Sequence, residues 1–514
     1  MSKKSFLHSI YLFSLGAISA FSLPPYNFFV INFITFTLFF IFIFNEKKKT
    51  FNNRYFFKYG WYFGFGYFLS GLYWISISLT FDEEFKFLIP FAIFLVPAFL
   101  GIFYGLITLL FAVFYSRKLI NSFFIFSILF GTIELIRGYI FTGFPWNLIS
   151  FSFSENTNFI QILSIIGTYS FNLICISLFT CPALFFLRKS KKEIFICLLF
   201  IIISVNFLIF GKIKNTQFNL QKNIKHNYTI RVISSNIGLE RFYSSEDESK
   251  IIEELISLSS PIEHKKIIFL WTEGIISEQN LSEMKIYESL FEDNFSQNHI
   301  IIMGINDTET INSKNLYFNS LAVFDNHLDL LYSYNKINLV PFGEFLPFEN
   351  ILQVLGLKTI TNNYQSFSSG SKRKIINLKN DGFDLSLLPL ICYEIIYSGK
   401  LSKNKDFDYI INISEDGWFG KSIGPKQHFT HSIFRSIESG KYILRSANNG
   451  ISAIINPIGI IEKQVKFGDT GFIDFTDSKS VVSTAFSQYG NKIYIFLILL
   501  YIFLIFSFNR NRNE

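Results

Sequence analysis

Leu388-Pro-Leu-Ile-Cys-Tyr-Glu-Ile-Ile396 is an apolar, partly β-branched run interrupted by one polar triplet, Cys392-Tyr393-Glu394. With the preceding Asp384-Leu-Ser-Leu387 it reads as a strand covered on both faces, as in the middle of a layered α/β domain. Cys392 is the only cysteine outside the greasy segments; Cys175, Cys181 and Cys197 are embedded in apolar stretches. An unpaired thiol closing a strand is either an inert core residue or a nucleophile, and the residue alone leaves both readings open.

Outward from this strand the same texture continues. Strand-like runs are expected at 228–236, 267–272, 299–305, 320–325, 330–335, 384–391, 409–414 and 451–456, and helices at 246–258, 281–294 and 428–446. Strands alternating with helices predict an α/β layered domain over 228–488. A basic, Asn-rich stretch, 212–227, is expected to be a linker. No repeat of 20–50 residues and no nucleotide-binding glycine fingerprint is present.

The rest of the chain is a different material. Half of its 514 residues are hydrophobic and 67 are Phe, concentrated in 1–211 and 489–508. Apolar runs near 7–23, 27–44, 59–80, 87–115, 119–140, 158–187, 193–211 and 489–508 are long enough to cross a bilayer. The expected organisation is a seven-helix bundle (1–211), the α/β domain, one closing helix (489–508) and a tail (509–514). Lys3-Lys4, Lys47-Lys48-Lys49 with Arg54, Arg117-Lys118, Arg188 to Lys192, and Arg510 with Arg512 all fall on one side if the eight runs cross. The opposite short connections hold only Lys86. That is a positive-inside pattern, with both termini cytoplasmic and the α/β domain periplasmic. The net charge of +7 is therefore largely a topology signal, and nucleic-acid binding is a poor reading of it. The first run also carries an imperfect cleavage site, Ala17-Ile-Ser-Ala20, so a signal peptide is the alternative to a first span.

Glu273 and Lys336 also lie at or just beyond strand ends, where α/β active sites collect, although either alone is more often solvated. The motifs around them change that weighting. Trp271-Thr-Glu-Gly274, Tyr334-Asn-Lys-Ile-Asn-Leu-Val-Pro-Phe-Gly-Glu344, Ile391-Cys-Tyr-Glu394 and Asp416-Gly-Trp-Phe-Gly420, in that order, resemble the nitrilase (carbon–nitrogen hydrolase) superfamily. Together with Gln427-His-Phe429, Leu444-Arg-Ser-Ala-Asn-Asn-Gly450, Gly71-Leu-Tyr-Trp74, Glu134-x-x-Arg-Gly138 and Thr142-Gly-Phe-Pro-Trp146, the chain is similar to the apolipoprotein N-acyltransferase branch. The resemblance implies a nitrilase-like αββα sandwich on a bundle of about eight spans in the bacterial inner membrane. It implies a triad of Cys392 (nucleophile), Glu273 (general base) and Lys336 (oxyanion stabiliser), supported by Glu344, Tyr393 and Glu394. It further implies a phospholipid acyl donor, a diacylglyceryl apolipoprotein acceptor and a thioester intermediate. No cofactor or metal is expected, and a monomer suffices.

The chain departs from the family pattern twice. Glu415 stands where Asn is usual, and Gly238-Leu-Glu-Arg-Phe-Tyr243 replaces a Lys-Trp-type pair, so Phe242 or Tyr243 is the expected stand-in for the tryptophan. Trp418, Phe419, Trp146 and Arg137 are candidate substrate contacts, Arg137 toward a lipid phosphate. Glu134 and Arg137 can also pair on adjacent turns. His428 and His431, three apart on a helix, read as packing or capping rather than metal ligands. Two alternatives remain at this level: a membrane-tethered amidase that uses water as acceptor, and a non-catalytic scaffold.

Overall fold

The computed structural model describes residues 3–50, 52–242, 248–311, 313–347, 349, 366–379, 382–401, 406–480 and 483–510. Eight long helices match the eight expected spans: Lys3–Ser19, Val30–Lys49, Arg54–Leu72, Ile89–Phe114, Leu119–Arg137, Leu163–Thr180, Lys191–Asn219 and Lys492–Arg510. Six of the corresponding segments are by themselves long and apolar enough to cross a membrane. Arg54–Leu72 is diluted by tyrosines and glycines, and the apolar part of the closing helix is Lys492–Phe508.

Those glycines have a packing reason. A Cβ on Gly60 would lie 2.1 Å from the Tyr104 carbonyl oxygen, and one on Gly66 would lie 2.2 Å from that of Phe13. Gly16 answers with 1.9 Å to the Phe63 oxygen. Helices Lys3–Ser19, Arg54–Leu72 and Ile89–Phe114 thus meet backbone to backbone, the usual way to gain contact where lipid removes the hydrophobic drive. Phenylalanines fill the wider gaps; Phe39 stacks on Phe63 at 4.1 Å.

The helix Lys191–Asn219 corrects the linker reading of 212–227. It runs through Lys212 and Lys214, and the first strand begins at Asn223. A polar turn added to a long apolar helix keeps its backbone hydrogen bonds satisfied, so a change of composition did not mean a change of structure. The closing helix likewise continues to Arg510, into the expected tail, and residues 511–514 lie outside the described residues.

In the α/β domain the strands are β1 Asn223–Ser234, β2 Ile267–Leu270, β3 Ile276–Asn280, β4 His299–Ile311, β5 Lys314–Phe324, β6 Leu330–Asn335, β7 Ile376–Leu378, β8 Leu385–Ile391, β9 Tyr409–Glu415, β10 Tyr442–Asn448, β11 Ser452–Ile455, β12 Ile461–Val465 and β13 Gly471–Lys479. One sheet has the order β13-β1-β2-β4-β5-β6, with β3 beside β4; the other runs β12-β11-β10-β9-β8-β7. Their apolar inner faces share one core that includes Val232, Leu270 and Ile302 from the first sheet and Leu387, Ile411 and Leu444 from the second. Helix Glu248–Ser259 and Phe291 cover the outer face of the first sheet around Phe269 and Trp271. Helix Gly424–Ser439 covers the second. The result is the expected αββα sandwich.

The expected helix 428–446 is two elements. Gly440, at φ +68°, ends the helix in the left-handed conformation, and the fully buried strand β10 follows. A strand buried on both faces, here with Arg445, Ser446 and Asn448 among its residues, shows no regular apolar–polar alternation to separate it from a helix. β3, β7, β12 and β13 were not anticipated; β7 is short and β12 is mostly exposed.

Helix Gly424–Ser439 is buried almost all round because it is wedged between the second sheet and the bundle. Gln427 is its hub. Its Oε1 accepts the indole N–H groups of Trp74 (3.0 Å) and Trp146 (2.9 Å), while its Nε2 donates to the carbonyls of Pro24 and Gly71. Farther along, Glu438 Oε1 accepts the Thr168 N–H and hydroxyl, both at 2.7 Å. That amide is available because Gly167, at φ +72°, breaks the helix. Gln427→Leu strands two buried indole donors and is expected to cost about 2–5 kcal/mol, read as a lowered thermal unfolding midpoint in detergent.

Candidate active site

Three strand ends meet at the seam between the sheets. Glu273 follows β2 and Lys336 follows β6 in the first sheet; Cys392 follows β8 in the second. Lys336, 1% exposed, donates from Nζ to Glu273 Oε1 and Glu344 Oε1, both at 2.9 Å. Asn319, on β5, donates to the same two oxygens at 2.8 and 2.6 Å. Two carboxylates therefore share one ammonium and one amide. Burial alone would lower the Lys336 ammonium, but the charges of Glu273 and Glu344 outweigh it and hold it well above the usual lysine value. Burial raises Glu344, with Lys336 opposing and Glu273 adding.

Cys392 is buried, and its backbone is held at φ +45°, a conformation rare for a residue with a Cβ. Burial pushes its thiol well up, Glu273 adds to that, and Lys336 only partly opposes it. A thiol raised in this way needs a base before it can act as a nucleophile.

The strained turn is braced from two sides. Glu394, fully buried, accepts the Ile391 N–H at 3.0 Å with one oxygen. With the other it accepts the Ile337 N–H, at 3.0 Å, and an Arg373 N–H, at 2.6 Å. It thus ties the segment after Lys336 to the strand before Cys392. Burial would raise its carboxyl, but Arg373 and the donated hydrogen bonds hold it below the usual range. From the other side, His428 Nε2 lies 3.3 Å from the Cys392 carbonyl oxygen, and its Nδ1 lies 2.9 Å from Asp416. Arg445 donates to both Asp416 oxygens at 3.0 and 2.8 Å. Asp416, Arg445, Asn319 and Arg373 were not identified from the sequence as site residues. Asp416 and Arg445 stood within quoted motifs without a role, while Asn319 and Arg373 carried no motif signal.

Burial would raise Asp416, yet Arg445 and His428 hold it far below the usual carboxylate range. Its stabilising contribution is therefore complete above the unfolded value of about 4 and is lost as the pH falls toward the depressed folded value. Asp416→Asn is expected to lower stability at neutral pH and to flatten its dependence below about pH 4, measured as thermal unfolding against pH.

The other expected residues are placed as follows. Tyr393 points away from the carboxylates, and its hydroxyl donates to the Gly143 carbonyl of the bundle at 3.0 Å. Trp146 lies between Gln427 and the His428 ring, on which it stacks at 5.5 Å. Phe419 packs edge-on against Trp74 at 4.8 Å. Trp418 stacks on Phe242 at 5.4 Å and meets Phe81 of the bundle edge-on at 6.0 Å. Phe242, one of the two expected stand-ins for the tryptophan, is thus the partner of Trp418; the other, Tyr243, lies outside the described residues. Arg137 does not reach a surface where it could meet a phosphate. It is 1% exposed, donates to Glu134 from Nε and NH2, and donates to the Phe144 and Trp146 carbonyls from NH1. An arginine inside a bundle is costly unless every donor is used, and here pairing and loop fixation use them. His428 and His431 both face Trp146, His431 with its ring at 5.0 Å.

Residues 15–181 match the apolipoprotein N-acyltransferase N-terminal domain family, and residues 283–475 match the carbon-nitrogen hydrolase family. An apolipoprotein N-acyltransferase of Rhizobium rhizogenes is 31% identical over 502 residues, covering 94% of this chain and 92% of its own. One from Rickettsia prowazekii is 34% identical over 443 residues, covering 84% and 86%. These likenesses span both the bundle and the sandwich, so the chain is a membrane-embedded enzyme that belongs to the apolipoprotein N-acyltransferase family.

Proposed function

We propose that this chain transfers an acyl group from a membrane phospholipid to the N-terminal α-amine of a diacylglyceryl apolipoprotein, through a thioester on Cys392. The observation that carries this reading is the seating of the nucleophile turn on the membrane bundle. The residue after Cys392 is hydrogen-bonded to the Gly143 carbonyl, and Tyr397 at the end of the same turn donates to Thr142 and Gly143. A site for small soluble amides has no need of that attachment. A site for an acyl chain drawn from the outer leaflet does.

In the first half-reaction the Cys392 sulfur attacks the ester carbonyl and its proton passes to Glu273. Glu273 Oε2 accepts one backbone N–H, from Glu415 at 2.8 Å, and keeps a lone pair for that proton. The Lys336 ammonium faces the negative charge that develops on the carbonyl oxygen. Collapse expels the lysophospholipid alkoxide, which takes the proton from Glu273. In the second half the α-amine attacks the thioester, Glu273 takes its proton, and collapse returns the proton to the leaving sulfur. The amide product and the free thiol complete a ping-pong cycle. The positive-inside pattern supports a cytoplasmic side for both termini and a periplasmic side for the sandwich.

The test is purified protein with phospholipid labelled in its acyl chain. The label is expected on the Cys392 peptide by mass spectrometry and is expected to leave it when a diacylglyceryl peptide is added. Discharge by water at the same rate without the peptide would make the protein a hydrolase and sink the transferase reading. Glu273→Gln is expected to slow acylation by roughly 10²–10⁴-fold, measured in a single turnover.

A further inference from the structure

Glu273 is gripped from two directions by a pair that the triad does not include. Glu415, which ends β9, donates its backbone N–H to Glu273 Oε2, as above. Its own carboxylate is buried and accepts from Arg241 NH2 at 2.5 Å and from Asn448 at 2.6 Å. Arg241, also buried, reaches past Glu415 to the carbonyl of Gly274, the residue after the base, at 3.3 Å. From its other side Arg241 donates to the Gly238 carbonyl at 2.6 Å. Its guanidinium lies 4.3 Å from the centre of the Phe242 ring that stacks on Trp418. Gly274 sits at φ +55°, and a Cβ there would lie 3.5 Å from the Phe242 ring. Arg241 and Glu415 also lie in the two stretches where the chain departs from the family pattern, and the structure shows the departures meeting each other.

We infer that Arg241 and Glu415 are positioning residues for Glu273: a neutralised buried clamp that fixes the base and joins it to the Phe242–Trp418 wall. This rests on the proposed role of Glu273. The charged and titratable groups facing Glu273 are Lys336 and Glu344 in front, Cys392 across the seam, Glu415 and Arg241 behind, and the Asp416–Arg445–His428 cluster beyond Cys392. The pair behind takes no part in the proposed chemistry, and its two charges are opposite in sign.

The experiment follows the pH dependence of Cys392 acylation by labelled phospholipid. Arg241→Met removes the cation that opposes burial at Glu415 and is expected to move the acid limb upward, by up to about one pH unit while Glu415 stays ionised. Glu415→Gln keeps the backbone N–H to Glu273 but leaves Arg241 uncompensated, and is expected to move the limb downward. The double variant is expected to return it to the wild-type position. Folded single variants that shift together, or not at all, overturn the inference. If neither single variant folds, Arg241→Lys decides. It keeps the charge and loses the second arm to Gly274, so the limb should stay while the rate falls about tenfold or more; an unchanged rate overturns the inference. Failure of the wild-type chain to acylate would instead count against the proposed function, so the two failures are distinguishable.

Discussion

Cys392→Ala is expected to abolish acyl-enzyme formation, lowering phospholipid-dependent acylation by roughly four orders of magnitude or more, with little change in the fold. Alanine has no nucleophile, and Cys175, Cys181 and Cys197 are buried in the bundle, away from the triad. The fold should survive because the turn is held by its surroundings rather than by the thiol. Glu394 fixes the Ile391 amide, His428 lies on the residue 392 carbonyl, and Tyr393 is anchored on Gly143. Alanine meets the same positive-φ cost as cysteine, so that term cancels, and a loss within about 1 kcal/mol is expected. Intact-mass measurement after incubation with labelled phospholipid, together with thermal unfolding of the same sample, checks both halves. A variant that acylates normally would require another nucleophile.

Lys336→Met should damage both activity and stability, for separable reasons. The ammonium stands between two buried carboxylates, and its removal leaves Glu273 and Glu344 facing each other with only Asn319 between them. Breaking a buried pair by removing one partner costs about 3–5 kcal/mol. Glu344 is already held above the usual carboxylate range, and losing the opposing charge raises it further. A carboxyl raised in the folded state destabilises above its unfolded value of about 4, and that loss shrinks as the pH falls below the folded value. The variant is therefore expected to regain part of its midpoint between about pH 7 and pH 5. Adding Glu344→Gln removes one of the two stranded charges and should recover most of the stability at pH 7. It should not recover the rate, because the cation facing the oxyanion is still missing, a loss of about 10²–10³-fold. Thermal unfolding at two pH values and single-turnover acylation separate the two effects. Recovery of both by the double variant would show that Lys336 is only structural.

The membrane helices were the most legible part of the sequence because their signal is local. A run of apolar residues reports its own environment, and basic residues between runs report a side. Most of the buried strands were legible as strands: the runs at 267–272, 299–305, 384–391, 409–414 and 451–456 hold β2, β4, β8, β9 and β11, and β10 is the exception. Tyr442–Asn448, buried at every position, was absorbed into the preceding helix because only Gly440 marked the break. The linker failed for the opposite reason: Lys212 to Asn219 looked like a change of domain and is the polar end of a helix.

The residues of the proposed triad, Cys392, Glu273 and Lys336, were readable as candidates because each stands in a short motif at a strand end. By itself the sequence determined the two materials of this chain, membrane bundle and α/β sandwich, and the residue types of the triad, since both depend on neighbours close along the chain. Only the tertiary structure decided what holds those residues. Asn319 lies 46 residues from Glu273, Arg241 174 residues from Glu415, and Tyr393 250 residues from the carbonyl that anchors it. Arg137, a candidate contact for a lipid phosphate, is enclosed and takes the other reading the sequence offered, pairing with Glu134. Such pairings follow from which strand ends the two sheets bring together, and no local pattern of charge or hydropathy encodes that. At Cys392 the chain supplied the thiol, and the fold supplied the positive φ, the nearby buried carboxylate of Glu273 and the seat on the helix bundle.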